Sequence, residues 1–349
     1  MSDKFTSILV STPAVRRILF IHISTFGYEL KIRDMIEGAG NQVITHSDRP
    51  YNSATYKGIL RLFPELGRAI SNQHHLQWLR SLDRQSFHAV VVLKGESLSP
   101  HFLRLLRKKF PTIPFILYLW DSIHNVPSAK FNLAFFDHVF SFDRLDCDSL
   151  NLNYRPLFFT SDYYNNCPKL GNGIFFVGTL NGDRPKVIHK VSLAAAKASE
   201  SLDYWLFQRS IGEFRIRWLF DSSLRRLDQS RIIPTPLSAQ EIARRYASAN
   251  AILDIQHPSQ TGLTMRTFEV LASGKKLITT NASITDEPFF DPQRILVIDR
   301  KNPYIPKSFL NAITPAVSDD FLNRYDLRSW VNDLLAPVLT SDSKLIADS

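Results

Sequence analysis

A chain of 349 residues with 44% apolar and 21% charged residues has the composition of a globular protein, and its length favours two compact α/β domains over one. Its formal charge of +9 favours anionic partners, meaning nucleic acid, anionic lipid headgroups or phosphorylated substrates. Cys147 and Cys167, the two cysteines, are too few for a disulfide framework or a four-cysteine zinc site; they fit a reducing compartment, and neither reads as catalytic.

The apolar runs, such as Ala89 to Leu93 and Phe115 to Trp120, are far shorter than the roughly 20 residues of a membrane helix. The opening MSDKFTSILVSTPAVRR lacks a signal-peptide layout, so a cytoplasmic protein is expected. Basic residues fall in short clusters (Arg61 to Arg68, Arg104 to Lys109, Arg215 to Arg231) without a nucleic-acid module, and interleaved exposed aromatics are not expected there. Nucleic acid is therefore not expected, and the anionic inner face of the membrane, where a lipid-linked acceptor would sit, is the expected surface contact.

In chain order, Arg17 to Ile23 reads as a strand, Ser24 to Tyr28 as a turn, Glu29 to Gly38 as a helix and Gln42 to Thr45 as a second strand. Only Gly27 sits in that turn, so this is a Rossmann-like unit without the dinucleotide fingerprint. Ser53 to Leu82 has a helical period, with Leu60, Phe63, Leu66, Ile70, Leu76 and Leu79 as candidate core. His74 and His75 within it have no carboxylate at ligand spacing, and no metal site is expected.

Three strands follow: His88 to Leu93, ending in Lys94-Gly95-Glu96; Pro114 to Leu119, ending in Trp120-Asp121-Ser122; and Asp137 to Phe142, ending in Asp143. Each releases a carboxylate at its carboxyl end, so Glu96, Asp121 and Asp143 are candidates to face one ligand. Helix capping is the competing role for Asp143 and Asp121.

From Asn151 to Gly173 the pattern breaks at Pro156, Pro168 and Gly171, as a linker would. The expected domains are residues 1–155, residues 173–320, and a terminal segment 321–349 whose helix crosses back to brace the first domain. A second unit opens with strand Ile174 to Val177, the loop Gly178 to Asp183 and a helix from Arg184 to Glu200. Gly178 lets backbone approach a ligand, and Thr179 and Arg184 are placed to meet a phosphate; Asp183 as a helix cap explains the loop equally well. Tyr204 to Gln208 is a strand, an amphipathic basic region runs to Arg226, Ile232 and Ile233 form a short strand, and Ser238 caps a helix to Ser248, with Glu241 at the capping-box place.

The most informative stretch is Ala249 to Thr280. It reads strand (Ala251 to Ile255), polar loop, helix (Leu263 to Ala272), Gly274 as a stop, and strand (Leu277 to Thr280), the repeating unit of a parallel sheet. Its loop lies at the sheet's carboxyl edge, where open α/β folds bind ligands, and the helix start offers backbone N–H groups to phosphate. His257, Gln260, Thr261, Gly262, Thr264, Met265 and Arg266 crowd that entrance. Arg266 can fork onto a phosphate and Glu269, a turn further on, can accept two ribose hydroxyls. A solvated surface pair of Arg266 and Glu269 is the plainer alternative.

The run DIQHPSQTGLTMRTFEVLASGKKLITTN resembles the donor-site segment of bacterial GT-B glycosyltransferases of the CgeB-like, capsule and lipopolysaccharide biosynthesis type. FGYE, LKGESLSP, LYLWDS, FSFDRLDC and FVGT extend the likeness over most of the chain. The resemblance implies an α/β GT-B fold, two Rossmann-like domains facing each other across a cleft, and transfer from a nucleotide-sugar donor to a glycan or lipid-linked acceptor. Many retaining members place two glutamates here with seven residues between them, the second on the ribose; Glu269 matches the second, and Thr261 stands at the first. Metal-free chemistry without a cofactor is expected, with Arg266 and the helix start on the diphosphate. Asp121 or Glu96 would deprotonate the acceptor if the reaction inverts; Glu269 leans toward retention. A catalytically silent nucleotide- or glycan-binding scaffold, or an epimerase or phosphosugar transferase, remains the alternative.

Overall fold

The computed structural model describes residues 15–51, 53–82, 86–164, 171–314 and 316–347. Cys167, Pro168 and the N-terminal segment on which the leader expectation rests lie outside them. The chain divides into two compact units, one of Met1–Phe140 with Val331–Ser349 and one of Ser141–Trp330.

The first half of the chain runs β1 (Arg17–His22), α1 (Tyr28–Gly38), β2 (Gln42–Ser47), α2 (Ala54–Leu62), α3 (Pro64–Ser81), β3 (Ala89–Leu93), α4 (Pro100–Lys109), β4 (Phe115–Leu119), β5 (His138–Ser141), α5 (Arg144–Leu150) and β6 (Asn153–Tyr154). The strands form one sheet in the order β2-β1-β3-β4-β5-β6, and β1 pairs parallel with both β2 and β3. AVVVL of β3 and FILYL of β4 are buried along their whole length, as strands covered on both faces must be. The order reverses between β1 and β3, so the turns after those strands flank the sheet's switch point.

The helical period over Ser53 to Leu82 is two helices. Pro64 cannot donate to the backbone of α2 and instead opens α3 at its first position. The buried face also differs from expectation: Leu60 and Leu79 are inside, whereas Phe63, Leu66 and Ile70 are exposed, and Gly67, Arg68, Ser71 and His75 turn inward. A Cβ at Gly67 would lie 2.8 Å from Leu60, so close approach of the two helices selects that face.

The second half runs β7 (Ile174–Thr179), α6 (Arg184–Lys197), β8 (Leu202–Phe207), α7 (Ile211–Phe220), α8 (Ser222–Arg225), β9 (Ile232–Ile233), α9 (Ala239–Ser248), β10 (Ala251–Asp254), α10 (Met265–Ala272), β11 (Lys276–Thr279), β12 (Ile295–Val297), α11 (Lys307–Asn311), α12 (Asp319–Tyr325) and α13 (Leu327–Ala347). Its sheet has the order β12-β11-β10-β7-β8-β9 and parallel pairs throughout. Numbered from β7 this is the doubly wound order 3-2-1-4-5-6, whose reversal falls between β7 and β10. Phe176, Val187, Val191, Leu206, Leu253 and Ile278 belong to the core beneath it. Among the described residues no helix is long and apolar enough to cross a membrane.

Candidate functional site

The two strands at the switch point of the second sheet release the two loops that the sequence singles out. β10 ends at Asp254, and the chain then crosses the sheet edge to open α10 at Met265. That crossing is clamped by a side chain far away in sequence. Asp143 accepts Thr261 Oγ1 at 2.5 Å, Gly262 N at 2.9 Å and Thr261 N at 3.3 Å, while also capping α5 through Leu145 N at 3.1 Å. Both its oxygens are spent inside the fold and its side chain is buried, so the expectation that Asp143 faces a ligand is corrected to an anchoring role. Asn281 Nδ2 holds the carbonyls of Thr261 and Gly262 from just beyond the carboxyl end of β11, and Gln260 Nε2 donates to Gly262 O at 3.0 Å. Gly262 is required by packing: a Cβ there would lie 2.5 Å from the Phe142 ring.

Thr264 occupies the N-cap position of α10 without capping it. Its Oγ1 donates to Asp254 Oδ2 at 3.0 Å, and it makes no side-chain hydrogen bond to the helix start. The first-turn N–H groups, Met265 and Arg266 among them, are therefore left to whatever lies at the mouth, together with the positive end of the helix dipole.

Arg266 and Glu269 are not a solvated surface pair. Glu269 is 4% exposed. Arg266, with 18% of its side chain exposed, donates Nη1 to Tyr246 Oη at 2.9 Å and lies 3.7 Å from Asp254 through Nε. Burial disfavours the guanidinium charge, but Tyr246, Asp254 and Glu269 outweigh it and hold Arg266 above its usual range. Burial pushes the Asp254 carboxyl up, against the pull of Arg266 and the Thr264 hydroxyl. Most of the Arg266 charge is thus engaged behind the mouth.

After β7, Gly178 and Thr179 stand at the sheet edge, both half-buried. Arg184 does not meet the expectation of an anion binder: Nε and Nη2 donate to Ile255 O at 3.1 and 3.0 Å, and Nη1 donates to Thr179 O at 2.8 Å. It rivets the ends of β7 and β10 together. Asp183, expected as a cap, makes no side-chain cap; Arg300 takes its carboxylate at 2.7 and 3.2 Å and reaches Thr280 Oγ1 at 2.8 Å and Gln256 O at 3.2 Å. His257 is exposed, and its Nδ1 pairs with Ser259 Oγ at 2.6 Å, shaping the turn around Pro258.

At the switch point of the first sheet the two expected carboxylates are found in an ion-pair cluster. Lys94 Nζ lies 2.7 Å from Asp121 and 3.0 Å from Glu96, and Arg49 Nη2 lies 2.6 Å from Glu96. Burial raises the Glu96 carboxyl, but Lys94 and Arg49 win and hold it below the usual range. Lys94 sits at φ 73° with Gly95 at φ 65°, a left-handed pair unusual for a lysine, which aims its ammonium between the two acids. Behind the cluster runs a buried chain: His46 Nε2 to His75 Nδ1 at 2.9 Å, His75 Nε2 to Ser97 Oγ at 3.3 Å, and Ser97 to Asp48, which also accepts Glu96 N at 3.0 Å. His75 is accordingly a core group, and among the described residues no cluster of three or more His, Cys, Asp or Glu side chains is placed to share a metal ion.

No family model and no curated protein sequence matches the chain significantly. Solved structures do resemble it in fold. The lipopolysaccharide outer core galactosyltransferase WaaB aligns over 93% of this chain and 99% of its own with a TM-score of 0.51 at 16% identity. HepE from Anabaena, solved with UDP and glucose, aligns over 96% and 100% with a TM-score of 0.51 at 12% identity. A protein from Listeria monocytogenes described as a UDP-N-acetylglucosamine 2-epimerase aligns over 95% and 98% with a TM-score of 0.54 at 10% identity.

The fold is GT-B, two Rossmann-like units.

Within that GT-B fold, sequence reasoning missed Asp254, Tyr246, Arg300, Lys94 and Arg49. Asp254 and Lys94 carried a usable signal, because each lies at the carboxyl end of a buried strand where the other candidates were sought. Tyr246 and Arg300 carried none, since their roles arise only from packing against α10 and the loop after β7.

Proposed function

We propose that the chain is a glycosyltransferase that moves a sugar from a nucleotide-sugar donor to a surface polysaccharide or lipid-linked glycan of the capsule or lipopolysaccharide kind, without a metal ion. The observation that carries this reading is the uncapped start of α10 at the switch point of a 3-2-1-4-5-6 sheet. Donors fixed there by the Asp143 clamp are preorganised for a diphosphate, and they oppose the charge that develops on the leaving nucleotide. Gly178, Thr179, Gln260, Thr264 and His257 border the same edge, and Glu269 is the ribose partner by resemblance. Arg266 would act on the phosphates mainly by its charge, since Tyr246 and Asp254 hold its position. HepE, with UDP and glucose bound, supports a donor of this class.

The acceptor hydroxyl would be handled by the first unit. Asp121, 35% exposed and paired only through Lys94 among the contacts described above, suits that base better than Glu96, whose carboxylate two cations hold as a weak base. If configuration is retained, as the match of Glu269 suggests, no protein base is needed and the α10 mouth carries most of the rate. The epimerase-like neighbour favours one alternative, in which the same mouth holds a nucleotide sugar whose own ring is altered.

Calorimetric titration with UDP, GDP, ADP and CMP, followed by product analysis with the matching nucleotide sugars, tests this. Met265→Glu places a carboxylate in the first turn, which suits the helix dipole yet repels phosphate. The expected result is a folded protein that has lost nucleotide binding; unchanged binding excludes the α10 mouth as the donor site.

A further inference from the structure

Helix α7 turns one face into the core of the second unit through Phe214, 5% exposed, with Trp218 packed alongside. Its opposite face carries Ile216, Leu219 and Phe220, which are 62%, 62% and 85% exposed. Spaced i, i+3 and i+4, they form a single apolar stripe. Arg215 is exposed on the same helix, and the exposed Arg225 donates Nη1 to Leu219 O at 3.0 Å, which places its charge at the end of α7 beside the stripe; Arg209 and Arg226, in the flanking segments, are exposed too. Of the acids in this segment, Glu213 lies in the first turn of α7, whereas Asp221 and Asp228 are turned back on their own chain, accepting Ser223 N and Ser230 N at 2.9 Å each.

Three large apolar side chains in water, with Arg215 and Arg225 beside them, call for an occupant with both apolar and anionic character. Nucleic acid would satisfy the arginines and leave the stripe wet, and a second copy would set arginine against arginine. We propose that α7 seats the second unit on an anionic phospholipid surface, with Leu219 and Phe220 entering the boundary between headgroups and acyl chains and the arginines binding phosphate. Arg217 Nη1 donates to Leu180 O at 3.3 Å, so the docked helix is tied to the loop after β7. That the docked face would serve a lipid-linked acceptor rests on the proposed function; the docking itself does not.

The test is co-sedimentation of the full chain with phosphatidylcholine vesicles with and without phosphatidylglycerol. Wild type is expected to bind the anionic vesicles and to be released by salt. The Leu219→Ser/Phe220→Ser variant, and Phe220→Ser alone as a milder one, are expected to lose partitioning, by about tenfold for the pair, since each removes one large apolar side chain from the boundary. Arg215→Glu/Arg226→Glu is expected to abolish the preference for phosphatidylglycerol. All three should keep the wild-type thermal midpoint and UDP affinity, which separates failure of the docking from failure of the transferase reading. Absence of wild-type binding, equal binding to neutral vesicles, or full binding by the serine variants overturns the proposal. So does self-association of the wild type that Phe220→Ser abolishes, which would assign the stripe to a second copy.

Discussion

Asp143→Ala is the most telling single change, because one carboxylate both starts α5 and fixes the loop before α10, the proposed donor site. It removes the acceptor of Thr261 Oγ1, Gly262 N, Thr261 N and Leu145 N. A hydrogen bond to a charged group is worth about 1.5–3 kcal/mol and a lost N-cap about 1 kcal/mol. The contributions share one group and do not add, and removing a buried charge recovers part of its desolvation, so a net loss of about 3 kcal/mol is expected. For a unit of this size that lowers the thermal midpoint by roughly 6–12 °C, seen in calorimetry as a shift of the second unit's transition. Asp143→Asn is a sharper control. Its oxygen can still cap Leu145, but its amide opposes the N–H groups of Thr261 and Gly262, so it should recover the cap and not the clamp. With the loop released, UDP affinity is expected to fall about tenfold in both variants, because binding must then order the loop. A midpoint within about 2 °C of wild type for Asp143→Ala, or unchanged UDP affinity in either variant, would refute the clamp.

Further outcomes follow from the same contacts. Gly262→Ala should cost about 1–3 kcal/mol by forcing a methyl against Phe142, with partial recovery in Gly262→Ala/Phe142→Leu, measured by the same calorimetry. Arg266→Ala leaves the Asp254 carboxylate and Tyr246 hydroxyl buried without their cation and should destabilise the second unit by about 3 kcal/mol, whereas Arg266→Lys should lose less. Acidification should weaken the first unit: burial lowers His46 to about 3 and His75 to about 4, so the stability they hold above the unfolded histidine value is lost as pH falls below 6.5. Asp48 opposes this, since burial raises it to about 6 and its contribution grows as pH falls through that value. Asp48→Asn should therefore make the first unit's midpoint fall more steeply between pH 6 and 4 than in wild type, and a shallower fall would contradict the assignment. Asp121→Asn should lower kcat/KM by about a hundredfold or more if the reaction inverts and little if it retains, as read by steady-state kinetics.

The alternation of strands and helices was legible because it is local: a period of about 3.6 or 2 and a proline or glycine at a boundary act over a few residues. Ala249 to Thr280 reads as strand, loop, helix and strand from those rules alone, and the structure has that order in β10, α10 and β11. Two helices where one period ran were also foreshadowed, by Pro64. What no local rule supplies is the partner of a charge. Arg184, Asp143 and Arg266 read alike as candidates to meet a ligand. Packing decides among them, by setting the carbonyls of Thr179 and Ile255 against the first, Thr261 and Gly262 against the second, and Tyr246 and Asp254 against the third. Strand order is equally tertiary, since the reversal between β7 and β10 sets which loops share the sheet edge. Amino-acid order thus determined the elements and the residues standing at their ends. Only the fold decided which polar groups are consumed by one another, because a buried donor or acceptor left unpaired costs more than most single contacts return.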